Sequence, residues 1–115
     1  MSKQLNGSRH RFAVIDDKPT TTGIYGTDPV NFFDHQPPYS TVIFTLRDGG
    51  GGVPFSGTVT LQYKASKDPG WTDHETYSSI GDREEIKVGG NMEWRAVVKE
   101  DADYTEGIGR FGFNW

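Results

Sequence analysis

The sequence predicts an all-β protein, built as a small antiparallel β-sandwich of about eight short strands. Hydrophobic and polar residues alternate with a period of two in several segments, and turn-forming residues separate these segments about every ten positions. No helical pattern persists for more than about two turns. The chain also contains 15 glycines and 6 prolines, which fits a protein with many turns. These features are typical of immunoglobulin-like or jelly-roll-like sandwiches and not of βαβ units.

The clearest predicted strand covers residues 56–64. Val59, Leu61 and Tyr63 alternate there with polar residues, so we expect these three side chains to face the core. The residues expected to face water are Thr58, Thr60, Gln62 and Lys64.

Two further strands with the same alternation are predicted near the C-terminus. Over 92–99 the inward residues are Met92, Trp94, Ala96 and Val98, and the outward ones are Glu93, Arg95 and Lys99. In the last strand the inward residues are Phe111, Phe113 and Trp115. Gly109 is expected to form a β-bulge that resets this alternation after Ile108.

The remaining strands are predicted from composition. Residues 40–47 are β-branched and aromatic with apolar side chains on both faces, as in a central strand. Shorter strands are predicted over 10–15, 21–25, 71–77 and 84–88.

The length of 115 residues indicates one domain. We expect an extended N-terminal arm over residues 1–9 and one sandwich over 10–115, with a long loop at 26–39.

Charge and composition narrow the classes of partner. The formal net charge is −4, and acidic and basic residues are interspersed without a basic block, so no nucleic-acid partner is expected. The chain has no cysteine, which excludes disulfides and cysteine-based metal sites. No segment approaches the roughly 20 apolar residues of a membrane span, so no membrane partner is expected. The sequence contains no cofactor-binding motif, so no cofactor is predicted to bind.

The loop at 26–39 is long for a domain of this size, and long loops are often functional. Its aromatic residues either fold back as a lid over one open end of the sandwich or form a contact surface for another protein. The candidate partner-binding residues are Phe32, Phe33, His35, Pro37, Pro38 and Tyr39, together with Arg9 of the arm.

The candidates for catalysis are weak. His10, His35 and His74 lie in unrelated contexts, and no nucleophile motif accompanies them, so the chain is not expected to be an enzyme. The glycine run at 49–52 is not followed by a Lys-Ser/Thr pair or a helix start, so it does not match a phosphate-binding loop.

Two binding chemistries remain open. The carboxylates at 100–107 invite a calcium site but lack the spacing of an EF-hand, and a solvated turn is the simpler interpretation. Trp71 and Tyr77 are candidates for stacking on sugar rings, with a role as core or rim residues as the alternative.

Five segments of the C-terminal half form a recognisable series: GTVTLQY at 57–63, GW at 70–71, Tyr77, WRAVV at 94–98 and YTEG at 104–107. This series resembles the small β-sandwich proteins that tailed bacteriophages encode near their head genes. The resemblance covers about residues 56–115, and the N-terminal half departs from the pattern.

The resemblance implies a structural protein of the virion, made in the host cytoplasm and located on the capsid surface. It would be a decoration or cement protein that binds the major capsid protein on the assembled head, with its copies forming a homo-oligomer or ordered on a multimeric assembly. A tail, neck or baseplate component of the same virion is the alternative. A carbohydrate-binding β-sandwich module is an alternative of another class.

Overall fold

The computed structural model describes residues 10–16, 25–31, 41–65, 67–87 and 91–115. Within these ranges the chain forms eleven β-strands and one short 3-10 helix at Asp101–Asp103. The strands are β1 His10–Ile15, β2 Tyr25–Gly26, β3 Val30–Asn31, β4 Thr41–Asp48, β5 Ser56–Gly57, β6 Val59–Ala65, β7 Thr72–Tyr77, β8 Arg83–Lys87, β9 Met92–Val98, β10 Tyr104–Glu106 and β11 Gly109–Asn114. None of the described segments is a helix long and apolar enough to cross a membrane.

The strands form two main sheets. The first sheet has the order β1-β11-β4-β8, and the second has the order β2-β9-β6-β7, with β3 pairing β9 as well. A separate two-stranded ribbon joins β5 and β10. Every pair of strands in the three sheets is antiparallel.

The strand order is that of a jelly roll. When β2 and β3 share one position beside β9, and the small ribbon is set aside, eight positions remain. Numbered along the chain, they form the sheets 1-8-3-6 and 2-7-4-5, which is the double Greek key of a jelly roll. The all-β sandwich predicted from the sequence is therefore confirmed, in its jelly-roll form.

Thr27 explains why β2 and β3 are separate. Its backbone N–H donates to the carbonyl oxygen of Ala96 at 2.9 Å, and its Oγ1 accepts from the Ala96 N–H at 3.1 Å. The hydroxyl thus occupies the place of a backbone acceptor, and Pro29, which follows shortly after, has no N–H to donate. The edge strand is interrupted at this point but stays attached to β9.

Apolar residues from both sheets fill the space between them. The first sheet contributes Ala13, Ile15, Val42, Phe44, Leu46, Ile86, Phe111 and Phe113, and the second contributes Val30, Val59, Leu61, Trp94, Ala96 and Val98. The rings of Phe44 and Tyr77 connect the sheets, with their centroids 4.7 Å apart. Burial of these large side chains between the two sheets supplies the main stabilisation of a chain with few apolar residues.

Two of the residues expected to face water are buried. Thr60 is 2% exposed and Gln62 is 6% exposed. The alternation assigns both to the outer face of the second sheet correctly, but neither is exposed there. Gln62 is held between Arg95 and Asp73, which both hydrogen-bond its amide.

The predicted bulge at Gly109 is wrong. Gly109 is the first residue of β11 and pairs in register with Ile15 and Asp48, and one position earlier the Gly49 N–H donates to the Ile108 carbonyl oxygen at 2.7 Å. The bulges lie between Leu61 and Gln62 where β6 pairs β7, and between Tyr104 and Glu106 where β10 pairs β5. Gly109 serves close packing instead, because a Cβ there would lie 2.7 Å from the ring of Phe55.

Candidate functional site

All of the residues predicted to bind a partner lie outside the described ranges. These are Arg9, Phe32, Phe33, His35, Pro37, Pro38 and Tyr39. They remain predictions from the sequence. The described surface consists mainly of the two outer faces of the sandwich.

The structure does not bring Trp71 and Tyr77 together. Tyr77 points into the core against Phe44, and its half-buried side chain has a hydroxyl that finds no hydrogen-bond partner in the described structure. Trp71 precedes β7 and lies on the outer face of the second sheet, beside Arg95. Because the two rings are on opposite faces, they cannot form one stacking platform for a sugar.

A polar network crosses the outer face of the second sheet. Lys99 Nζ donates to Asp73 Oδ2 at 2.7 Å, and Gln62 Nε2 donates to Asp73 Oδ1 at 2.9 Å. Arg95 Nε donates to Gln62 Oε1 at 2.8 Å. The side chains of three adjacent strands and the segment after β9 are thus linked, and each charged group already has a partner.

Trp71 is enclosed by the same network. The guanidinium carbon of Arg95 lies 4.2 Å from the centre of the indole ring, and Lys64 Nζ lies 5.4 Å from it. Lys64 also forms an ion pair with Glu93 at 3.6 Å. Cation–π contact stabilises this arrangement and leaves less of the ring available to an incoming ligand.

The network also shifts the acidity of its members. The hydrogen bond from Lys99, followed by that from Gln62, holds the pKa of Asp73 below its ordinary value. The pKa of Lys99 is raised, chiefly by its hydrogen bond to Asp73. Burial lowers the pKa of Arg95, which stays a cation because the ordinary pKa of a guanidinium lies far above neutral pH. The opposite shifts of Asp73 and Lys99 describe an ion pair whose two charges stabilise each other.

A histidine connects the two sheets at one lateral edge. His74 Nε2 of β7 lies 3.2 Å from Glu84 Oε2 of β8. The imidazole also packs edge-on against the rings of Trp94 and Tyr63, at centroid distances of 5.4 and 6.2 Å. His10 lies on β1, at the opposite edge of the sandwich, so the structure does not pair these two histidines.

The outer face of the first sheet has a different character. Its described outward side chains include four cations, Arg47, Arg83, Lys87 and Arg110, and one carboxylate, Glu85. Only Arg83 of these cations forms an ion pair within the described residues, to Glu85 at 3.8 Å. An excess of positive charge therefore lies on one face of a chain whose formal net charge is −4.

Arg47 and Arg110 lie directly opposite each other on β4 and β11. Both are exposed, and no carboxylate of the described chain is paired with either. Like charges in directly opposed positions destabilise a sheet. Neither the core nor the register requires a cation at these positions, since both side chains point away from the core.

Apolar side chains border these arginines. Phe12 lies over Gly112, and its ring centre is 4.5 Å from the guanidinium carbon of Arg110. Val14, directly opposite Arg110, is 48% exposed. Tyr25 is 43% exposed and its hydroxyl donates to the carbonyl oxygen of Val14 at 2.6 Å. We call the surface formed by Phe12, Val14, Arg47, Arg83 and Arg110 the basic face.

The acidic segment at 100–107 forms a structured turn. Asp103 N–H donates to the Glu100 carbonyl oxygen at 2.9 Å, and Thr58 N–H donates to the Asp103 carbonyl oxygen at 2.7 Å. Gly107 has a φ of +83° and accepts a hydrogen bond from the Tyr104 hydroxyl at 2.7 Å. Within the described residues, no three His, Asp or Glu side chains converge as metal ligands would.

The basic face was missed in the sequence because its members are far apart along the chain. Alternation places Arg110 outward because Phe111 faces inward, but it does not assign Arg47, whose strand has apolar side chains on both faces. Their proximity depends on the pairing of β4 with β11, which a single sequence does not specify.

Comparison with protein-family models, with curated proteins and with solved structures finds no match to this chain.

Proposed function

We propose that this protein is a structural component of a bacteriophage virion that decorates the head by binding the major capsid protein. The resemblance of residues 56–115 to small phage head-associated sandwich proteins supports the virion setting. The jelly roll supports it by analogy, since this fold recurs in viral capsid domains as well as in lectins and enzymes.

The contrast between the two outer faces carries the proposal. Charged groups on the second sheet are paired with one another, through Asp73 with Lys99 and Lys64 with Glu93. The basic face instead presents exposed arginines next to an exposed aliphatic side chain, Val14. Arginine and apolar side chains together are typical of protein–protein interfaces. The basic face is therefore the best described candidate for contact with a capsid.

Cosedimentation with capsids tests the proposal. Full-length protein is mixed with mature empty capsids of the phage that encodes it, and the bound protein is quantified across a concentration series. We expect saturable binding at a fixed number of copies per capsid. Failure to bind at micromolar protein, with a folded sample shown by circular dichroism, would refute the decoration role. Immunogold labelling of whole virions distinguishes the head from the tail, neck or baseplate.

A carbohydrate-binding role is the second candidate, favoured by the surroundings of Trp71. The partly exposed indole lies beside Arg95, which is hydrogen-bonded through Gln62 to Asp73, and the polar groups of these three side chains are of the kinds that hydrogen-bond sugar hydroxyls. Glycan-array screening of the wild type and of Trp71→Ala tests it. Binding that Trp71→Ala abolishes would support this role, whereas no signal at millimolar ligand would exclude it.

A further inference from the structure

We propose that Arg47, Arg110 and Arg83 form a recognition site for clustered carboxylates on a partner protein, with Val14 as the adjoining apolar contact. This inference rests on the proposed function, because it specifies the chemistry of the capsid surface that the basic face would bind. The partner surface is an acidic patch of a different protein that includes an aliphatic or aromatic side chain.

The pairing of strands places the three arginines at neighbouring positions of one face, where Arg83 also forms an ion pair with Glu85 at 3.8 Å. Arg47 is directly opposite Arg110, a relation in which Cβ atoms are about 5 Å apart. Arg83 is opposite Thr45, which makes it the diagonal neighbour of Arg47 at about 7–8 Å. Three long cationic side chains therefore extend from adjacent positions of three neighbouring strands.

The site is partly organised before any partner binds. The ring of Phe12, 4.5 Å from the guanidinium carbon of Arg110, restrains that side chain through cation–π contact. Phe12 in turn stacks on His10, with ring centroids 5.4 Å apart. A restrained guanidinium loses less conformational entropy on binding, and its planar fork suits a carboxylate in bidentate geometry.

Charge complementarity indicates an acidic partner. The arginines at 47 and 110 repel each other in the free protein, and within the described chain neither is neutralised by a carboxylate. Partner carboxylates placed between them would convert this repulsion into attraction.

A protein is favoured over nucleic acid for two reasons. Val14, 48% exposed beside Arg110, offers an apolar contact that a phosphate backbone does not use. The formal net charge of −4 also means that most of the remaining surface would repel a long polyanion.

Fluorescence anisotropy with a defined probe tests the site. The probe is a labelled peptide of six glutamates flanked on each side by two leucines, titrated with full-length wild type, Arg47→Glu and Lys67→Glu. Lys67 is an exposed residue of the turn after β6, so its reversal makes the same change in net charge away from the basic face. We expect Arg47→Glu to weaken peptide binding by about tenfold or more, and Lys67→Glu by less than about twofold.

Two further measurements distinguish an acidic protein from other ligands of the arginine site. A labelled single-stranded DNA of similar charge replaces the peptide in one arm, and sedimentation velocity of the protein alone forms the other. Tighter binding of DNA than of peptide would overturn the inference in favour of a nucleic-acid site. Self-association that Arg47→Glu abolishes would overturn it in favour of a second copy of this chain.

Capsid binding by the same variants separates this inference from the proposed function. If wild type binds capsids and Arg47→Glu binds as well as Lys67→Glu does, the capsid role stands and the arginine site is wrong. If wild type binds the peptide in an Arg47-dependent manner but does not bind capsids, the arginine site stands and the proposed partner is wrong. Equal peptide binding by all three proteins would overturn the site directly.

Discussion

Replacing Gly112 with alanine should detach β1 from the first sheet. Gly112 lies in the middle of β11 opposite Phe12, and its φ of +155° is a conformation that residues with a side chain rarely adopt. A Cβ built there lies 2.0 Å from the carbonyl oxygen of Arg11 and 2.7 Å from the Cα of Phe12. Both obstacles are backbone atoms of β1, so no change of rotamer can relieve the contact.

The expected loss follows from these two effects. The backbone conformation alone costs about 1–3 kcal/mol for alanine, and displacement of β1 adds the loss of buried contacts made by Ala13 and Ile15. We expect a total of about 3–5 kcal/mol, which corresponds to a fall in Tm of about 10–20 °C for a domain of this size. Displacement of β1 should also move Phe12 away from its native position beside Arg110.

Two matched glycines isolate the cause. Gly70 has open space around it and no positive φ, so Gly70→Ala should change stability by less than about 0.5 kcal/mol. Gly52 has a φ of +88° and equally open surroundings, so Gly52→Ala should cost only the backbone term, about 1–2 kcal/mol. Thermal and urea denaturation monitored by circular dichroism measure all three. If Gly112→Ala were as stable as Gly52→Ala, the close contact between β11 and β1 would not be a determinant of stability.

Four further substitutions test other parts of the structure by the same denaturation assays. Phe111→Ala removes a ring with 0% exposure and should cost about 3–5 kcal/mol, so a loss below about 1 kcal/mol would contradict its place in the core. Tyr77→Phe should leave stability unchanged or slightly raised, because the buried hydroxyl has no hydrogen-bond partner in the described structure. Asp73→Asn should cost about 0.2–1 kcal/mol at pH 7. Because the pKa of Asp73 is lowered on folding, its contribution is present above its ordinary pKa of 3.8 and is lost as pH falls through the lowered value, so the difference from wild type should shrink in acid. Arg47→Gln should raise stability by about 0.2–1 kcal/mol at low salt, and the gain should shrink at high salt.

The fold was largely predictable because alternation is a local signal. The predicted strands at 10–15 and 71–77 match β1 and β7 to within one residue, and 92–99 matches β9 equally well. The two bulges were not predictable, because each is a property of how two strands pair and no residue type at these positions indicates it. The residue type at 109 indicated a bulge. The structure gives a different reason for glycine at this position, because the ring of Phe55, from another part of the chain, packs against it.

The site was predictable only in part, because a face is a property of paired strands. Burial of Gln62 depends on Asp73 and Arg95, which lie on two other strands and reach its amide from either side. Strand propensity and alternation contain no information on such cross-strand partners. The aromatic loop at 32–39 was found from its composition, and the described residues leave that prediction untested.

The opposed arginines at 47 and 110 link stability to function. If Arg47→Gln stabilises the isolated domain, the cation at 47 does not serve folding, and a residue that destabilises the free protein needs another explanation. Binding of partner carboxylates supplies one, because it removes the repulsion only in the complex. The opposite result, a loss of stability on removing Arg47, would mean that the side chain makes a favourable contact within the chain. In that case the cations on the outer face of the first sheet would contribute to folding stability, as the network of Asp73, Gln62 and Arg95 does on the second sheet.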